Sequence, residues 1–448
     1  MSRRRVIAGS IGMLAALTLV AACGGGTRPG QGGTGTDDGG GADGGGASGS
    51  TVATAWGLTG GVNEVLYKES LGWWNEANPD ARIGLEFFAN DAYKEKIRTA
   101  LGAGNAPTLI YGWGGGGLKE YVDNGNVVDM TAETANLVDR VLPSVAAGGI
   151  FDGKVYGVPN SQSQPVILYY NQNVLDEAGV AVPTTWEELM SAVATLNEHG
   201  VAPFSVAGQS KWPYLMWIQY LTDRVGGPEA FQAVLDGEPG AWSDPAFAEA
   251  LTMIQDLVKA DGFVSGYGSI AADANADQAL LYTGKAAFLL QGSWIYSSLK
   301  VDAPDFVADG LGFTTFPEVT GGAGDPLDIV GNTSNYWSVS ATATDEAKAA
   351  ATSYLDTIVF DDDYTQVLLD AGGVPPVAGL EDTIAKADDA EFIGLAYDMV
   401  KQAPHFQLSW DQALAPDAAQ ELLTNLEKIF LLQSTPEQFV DAMNKTIG

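Results

Sequence analysis

The chain of 448 residues has a single cysteine and only two histidines, and its 56 acidic residues far outnumber its 22 lysines and arginines. One cysteine excludes an intrachain disulfide and a thiolate metal cluster. His199 stands in the last turn before Gly200, where a helix end favours it, and His405 follows Pro404 with no Ser or Asp pattern nearby. Neither a metal site nor a cofactor is therefore expected. A formal charge of −34 repels phosphate backbones and anionic headgroups, so nucleic acid and anionic solutes are not the expected ligands. A Gly-x-Ser-x-Gly nucleophile motif is missing, and Trp113-Gly-Gly-Gly-Gly117 lacks both the Gly-Lys-Ser/Thr ending of a phosphate loop and the spacing of a dinucleotide fingerprint. A glycosidase needs only two carboxylates at a set separation, which so many acids leave open.

Hydrophobic residues make up 46% of the chain, enough to fill cores, and the length is too great for one of them. Two α/β lobes with extra segments fit. At the start, Arg3 to Arg5 form a positive region and Val6 to Val20 an apolar one, short of the roughly 20 residues of a membrane span. Val20-Ala21-Ala22-Cys23 follows and is similar to the lipobox of bacterial lipoproteins. That resemblance implies a signal peptide over 1–22, acylation of Cys23 and attachment to the outer face of the cell membrane. Losing 1–22 removes three arginines and no acid, taking the formal charge from −34 to −37. Residues 24–50 are nearly devoid of apolar side chains and read as a flexible, Gly-rich tether with a reach of about 30 Å.

Beyond the tether, Thr51 to Trp56 reads as a strand, Glu64 to Ala77 as a helix, Ile83 to Phe88 as a strand, Ala92 to Leu101 as a helix and Thr108 to Tyr111 as a strand. This alternation predicts βαβ units and a parallel sheet, whose ligands lie beyond the strand C-termini, where Trp56 and Trp113 stand. The glycines from Gly114 to Gly117 leave backbone bare for close approach. Thr185-Trp-Glu-Glu188 is a capping box that opens a helix, and the spacing puts Trp186 in the core. From about Tyr214 a further helix buries Trp217 and Leu221; Trp212 and Tyr214, at its start, either reach a cleft or pack inside the fold. Pro245 heads another helix, and Ala286 to Leu290 reads as a buried strand followed by the turn Gln291-Gly292-Ser293-Trp294. Leu311 to Phe316 and Asn335 to Ser340 read as strands, Asp345 to Val359 and Asp362 to Ala371 as helices, and Thr435 as the start of a last helix.

The centre of the pattern is Phe151 to Asn171. Two strand-like runs flank Asn160-Ser-Gln-Ser-Gln164, and Pro159 and Pro165 favour an extended backbone there. Gly-Lys-Val-Tyr-Gly-Val-Pro at 153–159, Tyr-Tyr-Asn at 169–171, Val-Pro-Thr-Thr-Trp-Glu-Glu-Leu at 182–189 and the Gly-Ser-Trp turn ending at Trp294 resemble the extracellular solute-binding proteins of ABC importers. The similarity is strongest to their carbohydrate-binding group, which includes the maltodextrin-binding protein. It implies an α/β, two-lobed, periplasmic-binding-protein-like fold of type II, hinged by three crossings with a ligand cleft between the lobes. The first crossing would be the 160–164 stretch, the second Gly321 to Gly324, and the third Gly372 to Pro376. Lobe 1 would then hold 51–160 plus about 328–372, and lobe 2 would hold 161–327 plus about 373–448.

The resemblance further implies a monomeric, non-catalytic receptor that captures a carbohydrate and delivers it to the permease subunits of an ABC transporter. Trp113, Trp294 and Trp410 match sugar-stacking aromatics. The candidate ligand set is completed by Trp56, Gly114, Gln162, Gln164, Trp212, Tyr214, Asn332 and Asp411. One departure counts against maltose: Gly114 to Gly117 stand where maltodextrin binders carry charged sugar ligands. Xylo-oligosaccharides or other β-linked oligosaccharides are the expectation, with a polyol or peptide receptor of the same fold as the alternative and a glycoside hydrolase behind it.

Overall fold

Strand runs and helix runs alternate along the computed structural model much as the apolar periodicity demands, over the described residues 50–447. The signal-peptide, Cys23 and tether expectations lie outside the described residues, apart from Ser50. In chain order the strands are β1 Thr51–Leu58, β2 Arg82–Phe88, β3 Leu109–Gly112, β4 Ile150–Phe151, β5 Lys154–Val155, β6 Val158–Pro159, β7 Gln164–Asn171, β8 Ala202–Ser205, β9 Ala286–Gly292, β10 Leu311–Thr314, β11 Ile329–Asn332, β12 Tyr336–Val339 and β13 Phe406–Leu408. Two sheets carry the fold, and a small hairpin pairs β4 with β5.

The first sheet has the order β2-β1-β3-β12-β6. β1 lies parallel to β2 and β3, as βαβ connections through the helices Gly61–Ala77 and Asn90–Gly102 require, and β12 is antiparallel to β3 and β6. Along β1, Ala53 and Ala55 are buried and a Cβ on Gly57 would lie 3.1 Å from the Tyr67 ring, so odd residues face the helix Gly61–Ala77. Trp56 therefore points to the opposite face.

The second sheet has the order β13-β11-β7-β9-β8, with β10 pairing the far half of β7. Helices cover both of its faces, which is why β7 and β9 read as continuous apolar runs. Val166 and Leu168 join a core with Trp217, Phe247 and the C-terminal helix Pro416–Phe430. Ile167 and Tyr169, one residue out of phase, join the other core with Phe392 and Tyr296.

Three segments connect the sheets. Asn160 to Gln164 runs from β6 to β7, Thr333 to Asn335 from β11 to β12, and the segment around Gly372 to Pro376 from the helix Asp362–Asp370, whose Tyr364 packs in the first lobe, toward the helix Ala390–Gln402 of the second. The second crossing differs from the expected place. Gly321 to Gly324 lies instead on the end of the helix Leu215–Gly226, where Ala323 N–H donates to the Val225 carbonyl at 3.0 Å and a Cβ on Gly324 would meet the Asp223 carbonyl. Residues 328–332 likewise belong to the second sheet, because β11 pairs with β7 and β13. The glycines mark close approach to a helix end, and sequence alone does not separate that use from a hinge.

Candidate functional site

A cleft of about 350 Å³ opens between the two sheets, walled by both lobes and floored by the crossings. On the first side its wall begins where β1 ends. β1 runs to Leu58, two residues beyond Trp56, so the turn at its carboxyl end is Thr59-Gly60-Gly61, with φ of +81° at Gly60 and +58° at Gly61. Glu64 ties this turn down, accepting from Gly60 N–H at 2.6 Å and Thr59 Oγ1 at 2.8 Å; the Lys68 ammonium bonded to its other oxygen, and then these two bonds, hold its carboxyl down to about 2. Trp113 follows β3 into the cleft, packed edge-on against Tyr111 at 5.3 Å, with Lys94 Nζ at 5.1 Å from its ring centre.

The second side contributes Trp212 and Trp294, whose rings lie 5.9 Å apart at 52° and form an aromatic corner. Trp294 is held there by the turn after β9, where Ser293 N–H donates to the Pro165 carbonyl at 2.9 Å. Asp411 reaches the cleft from the short helix Trp410–Ala413, with its carboxylate 3.9 Å from Lys94 Nζ of the first lobe. A second link between lobes joins Asp91 at the start of Asn90–Gly102 to the second side: its N–H donates to Asp273 at 3.1 Å, and its carboxylate accepts from Ser210 Oγ at 2.7 Å.

The floor is polar and already bonded. Gln164 Nε2 donates to Asn335 Oδ1 at 2.9 Å, while Gln164 Oε1 accepts from Asn332 Nδ2 at 3.3 Å. Gln162 Oε1 accepts from Val374 N–H at 3.3 Å, and Ser163 N–H donates to the Val374 carbonyl at 2.8 Å. Tyr67 and Tyr364 hydroxyls both donate to Asn160, at 2.9 and 2.6 Å. The amides of the first crossing thus bond the three crossings together, although Gln162 and Gln164 also line the cleft.

Of the expected ligand set, Trp113, Gln162, Gln164, Trp212, Trp294, Asn332 and Asp411 line the cleft, and four residues do not. Trp56 stands on the back of β1, edge-on to Phe88 at 5.4 Å with Lys96 Nζ 4.5 Å above it. Tyr214 is fully buried, stacked on Phe430 at 3.9 Å. Trp410 is 1% exposed, stacked on Phe231 at 4.2 Å and edge-on to Trp242 and Phe247. Gly114 has φ of +76° and faces the Gly148 carbonyl and the Tyr336 ring within the first lobe. The next two glycines meet the second lobe: a Cβ on Gly115 would lie 2.6 Å from the Gln412 carbonyl oxygen, and one on Gly116 2.4 Å from that of Leu414. The bare backbone serves contact between lobes. Asn63, Asn335, Gln219, Asp277 and Gln278 line the cleft without having been singled out by the sequence. Asn63 follows a strand end and Gln219 follows Trp212, whereas Asp277 and Gln278 carry no comparable signal in the sequence.

Two α/β lobes strapped by three crossings around an aromatic and amide-lined cleft define a hinged solute receptor. The chain belongs to the bacterial extracellular solute-binding protein family, which matches residues 55–364. Among solved structures it is similar to one from work on xylan utilization by the thermophilic bacterium Caldanaerobius polysaccharolyticus, at 31% identity and a TM-score of 0.79, covering 88% of this chain and all of the other. It is also similar to a xylose/arabinose-binding protein of Haloferax volcanii, 25% identical over 55% of this chain and 54% of that one. A melibiose/raffinose/stachyose-binding protein of Bacillus subtilis is 29% identical over 31% of this chain and 32% of its own. The chain spans a third to about half of the length of these two curated relatives. Among the described residues, no helix is long and apolar enough to cross a membrane.

Proposed function

We propose that this protein is the substrate-binding component of an ABC importer, a monomer that closes its lobes on a carbohydrate and hands it to membrane permease subunits without chemical turnover. The observation that carries this reading is the pairing of tryptophans across one cleft, Trp113 from the first lobe against Trp212 and Trp294 from the second. Sugar rings have apolar faces and polar edges, and flat platforms with amides beside them complement both. Each stack adds about 0.5–1.5 kcal/mol beyond area burial, so three platforms and a few hydrogen bonds suffice for micromolar affinity, about −8 kcal/mol. A β-linked oligosaccharide is the proposed ligand; the likeness to a structure from xylan work supports it. Lobe 1 is proposed to hold 51–160 and 336–371, with the rest of the described chain in lobe 2.

A thermal-shift and calorimetric screen against mono- and oligosaccharides, polyols, amino acids and short peptides tests the reading. A sugar at 100 times its dissociation constant stabilises by about 2.7 kcal/mol and is recovered intact. Shifts with non-sugars alone, or cleavage of the sugar, overturn it. Anchoring is proposed to run through acylated Cys23, with acyl chains adding about 0.8 kcal/mol per buried CH₂. Cys23→Ala is expected to move the protein from the membrane fraction to the medium, and retention at the membrane counts against the lipid anchor.

A further inference from the structure

Asp277 is a carboxylate that the fold buries without a counter-charge. It is 1% exposed, stands in the first turn of the helix Ala276–Tyr282 and lines the cleft. The strands packed on that helix, β7, β8 and β9, carry no charged residue, and the preceding turn contributes only Asp273. Lys94, the cation lining the cleft, is the partner of Asp411. Buried Asp223, by contrast, has Arg224 Nη1 at 2.6 Å.

The bonds that Asp277 does make leave it half satisfied. Oδ1 accepts from Gln278 N–H at 3.0 Å and Oδ2 from Gln291 Nε2 at 3.1 Å. Each oxygen of an ionised carboxylate has about two acceptor sites, so one remains on each. In the same cleft wall two further side chains, both under 5% exposed, carry an unpartnered group: the amide nitrogen of Gln219 and the amide oxygen of Gln278. Unpaired buried polar groups are costly, and a ligand that pairs them recovers that cost on binding.

Building on the carbohydrate reading, we propose that Asp277 is the anchoring acceptor of the site. It takes hydrogen bonds from two neighbouring hydroxyls of one sugar unit, one on each carboxylate oxygen, while Gln219 and Gln278 pair with the adjoining oxygens. The ligand class this selects is a neutral sugar that turns a vicinal diol toward the second lobe. Burial pushes the Asp277 carboxyl up to about 6, and hydroxyl donors favour its charged form. Binding near pH 6 therefore releases protons.

The test uses the whole chain and xylo-, cello-, chito- and malto-oligosaccharides as probes. For the sugar that binds, Asp277→Asn is expected to weaken affinity 10- to 100-fold with the thermal midpoint of the ligand-free protein unchanged or raised. Calorimetry of the unaltered protein at pH 6, in buffers of different ionisation enthalpy, is expected to show proton release on binding, and the Asn variant none. This second measurement needs no variant to fold. A sugar that binds both forms within threefold, or that binds the unaltered protein without proton release, overturns the proposal and leaves the carbohydrate reading standing. Binding of no sugar by the unaltered protein overturns both.

Discussion

At the scale of single residues, Trp294 and Trp410 occupy similar settings in sequence, each close behind a short strand, and the fold uses them differently. Trp294 is half-buried on the cleft, whereas Trp410 is enclosed by Phe231, Trp242 and Phe247. Trp294→Ala is expected to cost about 2 kcal/mol or more of ligand binding and little stability, as truncation of an aromatic anchor does. Trp410→Ala is expected to cost about 3–5 kcal/mol of folding stability by opening a cavity. Denaturant titration beside calorimetry separates the two, and a Trp410 variant of normal stability would remove it from the core. Trp113 and Trp294 were readable from the strands they follow and from the resemblance, whereas at Trp212, which stands at a helix start like the buried Tyr214, the sequence leaves cleft and core both open. Trp410 was not readable, since its three enclosing rings come from segments far away in the chain. Asp277 was hidden among 56 acids, and only burial distinguishes it.

At the scale of elements, the first three strands and two helices were readable to within a few residues, because their period and caps agree. The exception is the end of β1: running on to Leu58 hands the carboxyl-end turn to Thr59–Gly61 instead of Trp56. The use of the glycine run was also hidden, for bare backbone suits a ligand and a neighbouring loop equally. Here Gly116 faces the Leu414 and Ala413 carbonyl oxygens, at 2.4 and 2.7 Å from where a Cβ would stand. Backbone lies on both sides, so a methyl group is not relieved by a side-chain rotation. Gly116→Ala is expected to hold the lobes apart and weaken ligand affinity at least tenfold, with helical content retained. Calorimetry and circular dichroism check this, and unchanged affinity would show that the contact bears no load in closure.

For the molecule as a whole, acidity sets the response to pH. Burial pushes both Asp277 and Asp223 from the ordinary 3.8 up to about 6, with Arg224 partly offsetting the effect at Asp223. The folded chain then holds these protons more tightly than the unfolded one, so their contribution to stability is complete below pH 4 and is lost as pH rises through 6. Glu64 acts oppositely, contributing above pH 4.5 and losing its contribution as pH falls through about 2. Repulsion within a chain of formal charge −34 adds to the loss at higher pH. The thermal midpoint of the ligand-free protein is expected to be higher at pH 4.5 than at pH 7.5, with a smaller difference in Asp277→Asn; scanning calorimetry across that range decides, and a rise toward neutrality would contradict it.

The crossings have a consequence for signalling. Asn160, Ser161, Ser163, Ser334 and Asn335 are all at most 1% exposed, and the three segments are bonded to one another by Asn160 N–H to the Asn335 carbonyl and Ser163 N–H to the Val374 carbonyl, both at 2.8 Å. Straps so dry and mutually tied are expected to twist together rather than bend separately. In the proposed importer role, such a coupled twist would turn occupancy of the pocket into a change in the separation of the rims, which the permease would read without touching the solute.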